Sequence, residues 1–287
     1  MIPTPFDYQA PATLEEAVSL LASNPDGARV LAGGHSLIPA MKLRLAQPQL
    51  LVDIARIKSL AYIREAGDQI LIGATTTHYQ LESSDVLQQL CPLLSDCARS
   101  IGDVQVRNKG TIGGSLAHSD PAADWPAAIL ALEANLVVVG PNGERTVEAE
   151  NFFVNLLTTD LQPGEILREI RIQKPAGRFG QAYQKVAHPA SGFAVVGIAV
   201  HLAFNDDGSC KSAGIGVTGV GTKAYRAKAV ETALAGTTLD DNAIATAVTH
   251  VCDGIDPMTD LYASGEYRCH LAQVHARRAI QAAKTKR

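Results

Sequence analysis

Two short glycine-rich runs carry the chemistry most legible in this sequence: Ala32-Gly33-Gly34-His35-Ser36 and Thr111-Ile112-Gly113-Gly114-Ser115. Glycine admits positive φ and lets backbone N–H groups come close to a ligand. Successive N–H groups in such a turn form a nest for an anion, and the hydroxyls of Ser36, Thr111 and Ser115 add donors without adding charge. Two turns of this kind suit the two phosphates of a dinucleotide, gripped from opposite sides. Each run taken singly is also an ordinary structural corner. A bulky acidic residue at Gly33 or Gly113 is therefore expected to expel the ligand and spare the fold.

Other chemical patterns are weaker. Gly214, Gly216 and Gly219 spell GxGxxG, and Asp240 lies downstream where a ribose-binding acid belongs; the motif counts only in a strand–helix–strand unit, and here it follows a hairpin. His118, Asp120 and Asp124 form an HxD cluster that lacks the second group a metal site wants, and no GxSxG elbow accompanies Ser115. His270 and His275 fall on different helix faces and read as solvated residues beside Cys269. Arg107 and Lys109 read as surface charges that bias the second turn toward an anion. The five cysteines, Cys91, Cys97, Cys210, Cys252 and Cys269, have no CxxC spacing and read as reduced, structural thiols.

The elements that must position the turns follow from local signals. Thr13 and Glu16 match a capping box ahead of the apolar stripe Ala17, Val18, Leu20 and Leu21. Arg29 to Leu31 reads as a strand running into Gly33, Leu50 to Ile54 as a second and Gln69 to Gly73 as a third. Leu87 to Ser100 reads as a helix broken or started at Pro92. The stretch from Arg107 to Pro126 has no sustained apolar period and is expected to be a long ordered loop. Ala127 to Leu132 reads as a buried helix, Leu136 to Val139 as a strand with a hairpin turn at Pro141-Asn142-Gly143, and Ile166 to Ile172 as a half-buried strand.

Composition shifts at Lys174 to Gly177, which divides the chain into 1–177 and 178–287. The second part opens with strands at Ala182 to Val186 and Phe193 to Phe204, the latter joined through Asp206-Asp207-Gly208 to Ser212 to Val220. From Ala224 onward helical spacing dominates, ending in a helix around Leu271 to Ala283. The expected class is α+β. A formal charge of -4 over 287 residues leaves no nucleic-acid footprint, and no apolar run is long enough to span a membrane. The start of the chain shows no leader, and a cytoplasmic protein is expected, with contact at the inner membrane face left open.

The runs FDYQAPATLEEAVSLL, AGGHSLIPAMKLRLAQPQLLVDI, IGATTTH, VRNKGTIGGSLAHSDPAADWPA and AYQKVAHPASGFAVVGIAV span most of the chain in order. Together they resemble the FAD-binding medium (flavoprotein) subunit of the carbon monoxide dehydrogenase and xanthine dehydrogenase family of molybdenum hydroxylases. The resemblance implies a two-part FAD-binding domain of the PCMH type followed by a small antiparallel sheet packed with helices. It gives the FAD pyrophosphate to Ala32, Gly33, Gly34, His35 and Ser36, and to Thr111, Ile112, Gly113, Gly114 and Ser115. Asp124 is implied to contact hydroxyls of the sugar or ribityl portion; an N-cap for the helix after Pro126 is an equal and compatible reading. Leu161 is implied near the flavin ring, Lys185 as a cationic neighbour or else a solvated lysine, and Phe193 beside the flavin face or else as a core phenylalanine.

By the same resemblance, electrons enter from a small subunit with two [2Fe–2S] clusters, which receives them from a large molybdopterin subunit. The FAD chain passes them to an acceptor such as a quinone, and the assembly is a dimer of three-subunit units. No catalytic acid or base is required of this chain. Aerobic carbon monoxide dehydrogenase is the expected complex, with an aldehyde, purine or N-heterocycle hydroxylase as the alternative. A flavin-carrying interaction module with no catalytic partner, or an apo-scaffold, is the reading from another class.

Overall fold

The computed structural model describes residues 2–285. Near the N-terminus, β1 (Asp7–Gln9), α1 (Leu14–Ser23), β2 (Ala28–Leu31), α2 (Leu37–Lys42) and β3 (Leu50–Asp53) build a parallel sheet in the order β1-β3-β2. Thr13 starts α1 as expected, its Oγ1 accepting from the N–H of Glu16 at 3.2 Å while Glu16 Oε2 accepts from the N–H of Ala12 at 2.9 Å. Leu14, Ala17, Val18 and Leu21 of α1 pack on Val52 and Ile54, closing a small core.

A second sheet is antiparallel except for no more than local irregularity, in the order β4-β5-β10-β6-β7. Its strands are β4 (Ile63–Ala66), β5 (Gln69–Gly73), β6 (Asn135–Gly140), β7 (Gly143–Glu148) and β10 (Ile166–Gln173); β8 (Phe153–Asn155) and β9 (Thr158–Thr159) form a separate hairpin. The central strand β10 is more deeply buried than the half-buried alternation expected for it, because it has neighbours on both edges and a bulge between Leu167 and Glu169.

Between β5 and β6 the chain is helical: α3 (His78–Glu82), α4 (Asp85–Leu90), α5 (Pro92–Arg99), α6 (Val104–Lys109), α7 (Ile112–His118) and α8 (Trp125–Ala131). Pro92 does start a helix, at the first position of α5. The long loop expected from Arg107 to Pro126 is instead mostly helix. Its start signals are caps rather than an apolar period, Asp103 Oδ1 accepting from Val106 N–H at 2.9 Å and Thr111 Oγ1 from Gly114 N–H at 3.1 Å. These helices are too short for a period to show.

After the single turn α9 (Ala149–Phe152) and then β10, the chain enters a four-stranded antiparallel sheet, β11 (Phe179–Ala187), β12 (Ala194–Phe204), β13 (Cys210–Thr218) and β14 (Tyr225–Arg226). Helices α10 (Lys228–Leu234), α11 (Asp241–Ala247) and α12 (Gly265–Thr285) cover one face with an aliphatic core. Helix α8 covers the other, and it comes so close that a Cβ on Gly214 would stand 2.1 Å from the Ala131 carbonyl and one on Gly216 1.9 Å from that of Ala127. The GxGxxG spelling is thus a helix-on-sheet contact, and Asp240 is the N-cap of α11. This is the α+β architecture expected.

The cysteines depart from expectation. Cys252 and Cys269 are joined in a disulfide, with Cα atoms 6.1 Å apart, because the loop after α11 returns beside the start of α12. Cys91, Cys97 and Cys210 are free and buried. His275, expected in solvent, has its Nδ1 buried without a hydrogen-bond partner among the described residues.

Candidate functional site

The two glycine turns meet at one cleft of about 500 Å³. The first leaves the end of β2, turns at Gly34 (φ 74°) and enters α2. Among the described residues, the N–H groups of Gly33, Gly34, His35 and Ser36 donate to no acceptor of the protein. Four successive free donors on one turn are a nest for an anionic oxygen, and Ala32 to Ser36 all line the cleft.

The second turn is built differently. Ile112 N–H donates to Thr76 at 3.1 Å, Gly113 N–H to Ala74 at 2.8 Å, Ser115 N–H to the Thr111 carbonyl at 3.1 Å, and Gly114 N–H to Thr111 Oγ1. Its donors are spent on the fold. Thr111, Gly113, Gly114 and Ser115 still line the cleft, with the partial positive charge of the α7 N-terminus behind them. Ile112 does not; it is fully buried beneath the turn.

Close packing fixes the turns against each other. A Cβ on Gly33 would stand 2.4 Å from the Lys109 carbonyl and 2.7 Å from Gly110 Cα, and one on Gly113 2.5 Å from Ala74 Cβ and 2.6 Å from its carbonyl. Both neighbours include backbone, which cannot step aside. A side chain at either position therefore disturbs the fold itself, contrary to the expectation that such a change spares it.

Asp124 lines the cleft and is buried. Its carboxylate accepts from Tyr183 Oη at 2.6 Å and Lys185 Nζ at 2.9 Å, and Lys185 also donates to the Ser100 carbonyl at 2.9 Å. Burial raises the carboxyl above the usual range against the opposing pull of Lys185 and Tyr183. Asp124 does stand at the N-cap position of α8, but its side chain makes no cap bond there. Lys185 is neither solvated nor on the cleft wall; it stands behind Asp124 with its side chain 6% exposed. The buried pair ties the cleft to β11, and each partner spares the other an uncompensated buried charge.

Leu161 lines the cleft and packs partly on the large core. Phe193 also lines it and is 43% exposed, which removes the core-phenylalanine reading. Arg107 is no free surface charge: it donates to Glu82 at 2.7 Å and to the carbonyls of Ile101 and Gly102. Among the wall residues that sequence reasoning passed over are Arg29, Glu165 and His78. Arg29 is the second residue of β2, Glu165 is held by Arg145 at 2.7 Å, and His78 closes the IGATTTH run. Only His78 carried a signal, as the end of a motif quoted for other reasons.

The wall thus offers free N–H donors and hydroxyls at one end and apolar surface from Leu161, Leu167 and Phe193 elsewhere. That combination fits a flavin dinucleotide, with a pyrophosphate to receive N–H donors and a ring system to pack on apolar side chains.

Residues 4–175 match the family model described as the FAD binding domain in molybdopterin dehydrogenase, and residues 181–283 that of the CO dehydrogenase flavoprotein C-terminal domain. The chain is 40% identical over 283 residues to the carbon monoxide dehydrogenase medium chain of Hydrogenophaga pseudoflava, covering 99% of this chain and 98% of that one. It is 36% identical over 280 residues to the 6-hydroxypseudooxynicotine dehydrogenase complex subunit alpha of Paenarthrobacter nicotinovorans, covering 98% and 95%. A chain in the crystal structure of cyanide-inactivated Cu,Mo-CO dehydrogenase superposes with a TM-score of 0.97 at 40% identity, over 100% of both chains. The chain belongs to the FAD-binding medium subunits of carbon monoxide dehydrogenase and related molybdenum hydroxylases, and is a subunit of an FAD-containing oxidoreductase.

Proposed function

We propose that this chain holds FAD in the cleft between its glycine turns and is the electron exit of a three-subunit complex. Electrons reach it from the [2Fe–2S] clusters of a small partner subunit, after a large molybdopterin subunit has oxidised carbon monoxide. They leave to an external acceptor such as a quinone, and the complex is a dimer of such trimers. Residues 1–177 form the cofactor domain, and 178–287 form a second domain that contributes Phe193 to the cleft wall. The observation that carries this reading is the nest of free N–H groups at Gly33 to Ser36, facing the second turn across a cleft with apolar walls.

Bound FAD supplies a ring that takes up and releases electrons, while the protein supplies position and electrostatics. The backbone of Ala32 to Ser36 holds pyrophosphate oxygens, and Ser36 and Ser115 add hydroxyl donors. Thr111 to Gly114 form the opposite wall, with Ile112 anchoring it from below. Asp124, oriented by Tyr183 and Lys185, accepts from cofactor hydroxyls, and Lys185 acts through it. Leu161 and Phe193 flank the flavin ring. The work is cytoplasmic, at most peripheral to the inner membrane face; among the described residues no helix is long and apolar enough to cross a membrane.

The test is anaerobic substrate reduction of the complex purified with its partner subunits. Carbon monoxide should bleach the flavin absorbance. Bleaching by an aldehyde, purine or N-heterocycle and not by carbon monoxide would replace the substrate; the 36% identity to a subunit of 6-hydroxypseudooxynicotine dehydrogenase makes that the second reading. A colourless complex that ignores added FAD would overturn the cofactor placement as well.

A further inference from the structure

His78 lines the cleft, and its Nε2 has no hydrogen-bond partner among the described residues. It opens α3 behind a capping box of Thr77 and Gln80, and its backbone N–H donates to the Gly110 carbonyl at 3.0 Å. The residue is 4% exposed, and Trp125 Nε1 stands 3.0 Å from its Nδ1. An indole N–H can only donate, so Nδ1 must accept. The imidazole then carries its proton on Nε2. Burial pulls its pKa from 6.5 to about 4, with the charges of His35 and Arg107 adding to the effect, so the ring is neutral at physiological pH.

Among the described residues no acceptor meets the proton on Nε2, yet the atom is not sealed away from solvent, and the ring lines the cleft. Its place is the seam between the two turns. A Cβ on Gly110 would stand 2.6 Å from His78 Nε2, and Gly110 Cα is itself what a Cβ on Gly33 would strike at 2.7 Å. Glycine at 110 brings the imidazole edge to the point where the two turns touch.

We infer that His78 is a further cofactor-binding residue, its Nε2–H donating to a pyrophosphate oxygen of the dinucleotide at the seam, with Trp125 as the positioning residue that fixes the tautomer. This rests on the proposal that FAD occupies the cleft. A neutral donor supplements the nest without burying a cation that would itself need a partner.

The experiment titrates the deflavinated complex, with its copurifying subunits, with FAD and with riboflavin, which lacks the pyrophosphate. Wild type should prefer FAD; if it binds the two equally, the pyrophosphate clamp itself is wrong. Given that preference, His78→Phe should weaken FAD by roughly tenfold, equivalent to about 1.4 kcal/mol, and leave riboflavin unchanged. His78→Gln should recover part of the loss, because its amide can accept from Trp125 and still donate to the cleft. His78→Phe also strands the Trp125 N–H, so the wild type gives a second readout. In a proton–nitrogen correlation spectrum with labelled histidine, the His78 proton should sit on Nε2 and shift with FAD but not with riboflavin. Wild-type FAD affinity in a folded His78→Phe complex, or a proton on Nδ1, would overturn the inference.

Discussion

The two glycine turns look alike in sequence and do opposite jobs. In the first, the N–H groups of Gly33 to Ser36 have no acceptor among the described residues and Gly34 takes a positive φ, a shape that suits an anionic ligand. In the second, every N–H from Ile112 to Ser115 is bonded to the β5 end or to Thr111. On the proposed function the first turn is a receptor and the second is a wall. A Gly-Gly pair therefore says that backbone must come close to something, and leaves open whether that is a ligand or the rest of the protein.

Substitution separates the two uses. Gly113→Val and Gly33→Val, which strike backbone at 2.6 and 2.4 Å, should each cost about 3 kcal/mol or more by denaturant unfolding. Gly34→Ala meets only side chains, at 3.2 Å or beyond, but must hold φ near 74°; it should cost about 1 to 2 kcal/mol and lower FAD affinity, by misdirecting the nest. Thr111→Val removes the cap of α7 and should cost about 1 kcal/mol of stability, with little change in FAD affinity once folded.

A milder probe is pH. His78 is lowered from 6.5 to about 4 in the folded state, so between those values the unfolded chain binds the extra proton. Its contribution is complete above pH 6.5 and is lost as pH falls toward 4, and unfolding curves of His78→Gln should show a shallower loss over that window. Ser115→Ala should do least, leaving stability within about 0.5 kcal/mol, since its hydroxyl has no partner among the described residues. A large stability loss there would move Ser115 from the cleft to the scaffold.

Much of this was legible in the residues. Thr13 with Glu16, the hairpin at Asp206 to Gly208 and the strand feeding the first turn all rest on local rules, and local rules are visible in one sequence. What was not legible depends on distance. Asp124 and Lys185 are 61 residues apart, and no spacing announces a buried ion pair across them. Cys252 and Cys269 pair only because a loop folds back on α12. α7 was invisible as a helix because Gly113 and Gly114 occupy its first turn and only Ile112 and Leu116 carry large apolar side chains. The fate of the N–H groups, which decides the roles of the two turns, belongs to the partners and not to the glycines.

Backbone amide exchange reads those N–H groups directly. In the deflavinated complex the amides of Gly33 to Ser36 should exchange fast and become protected when FAD is added, while those of Ile112 to Ser115 should be slow in both states. Protection at Gly33 to Ser36 without FAD, or no change there on loading, would contradict the assignment of the first turn as the cofactor's receptor.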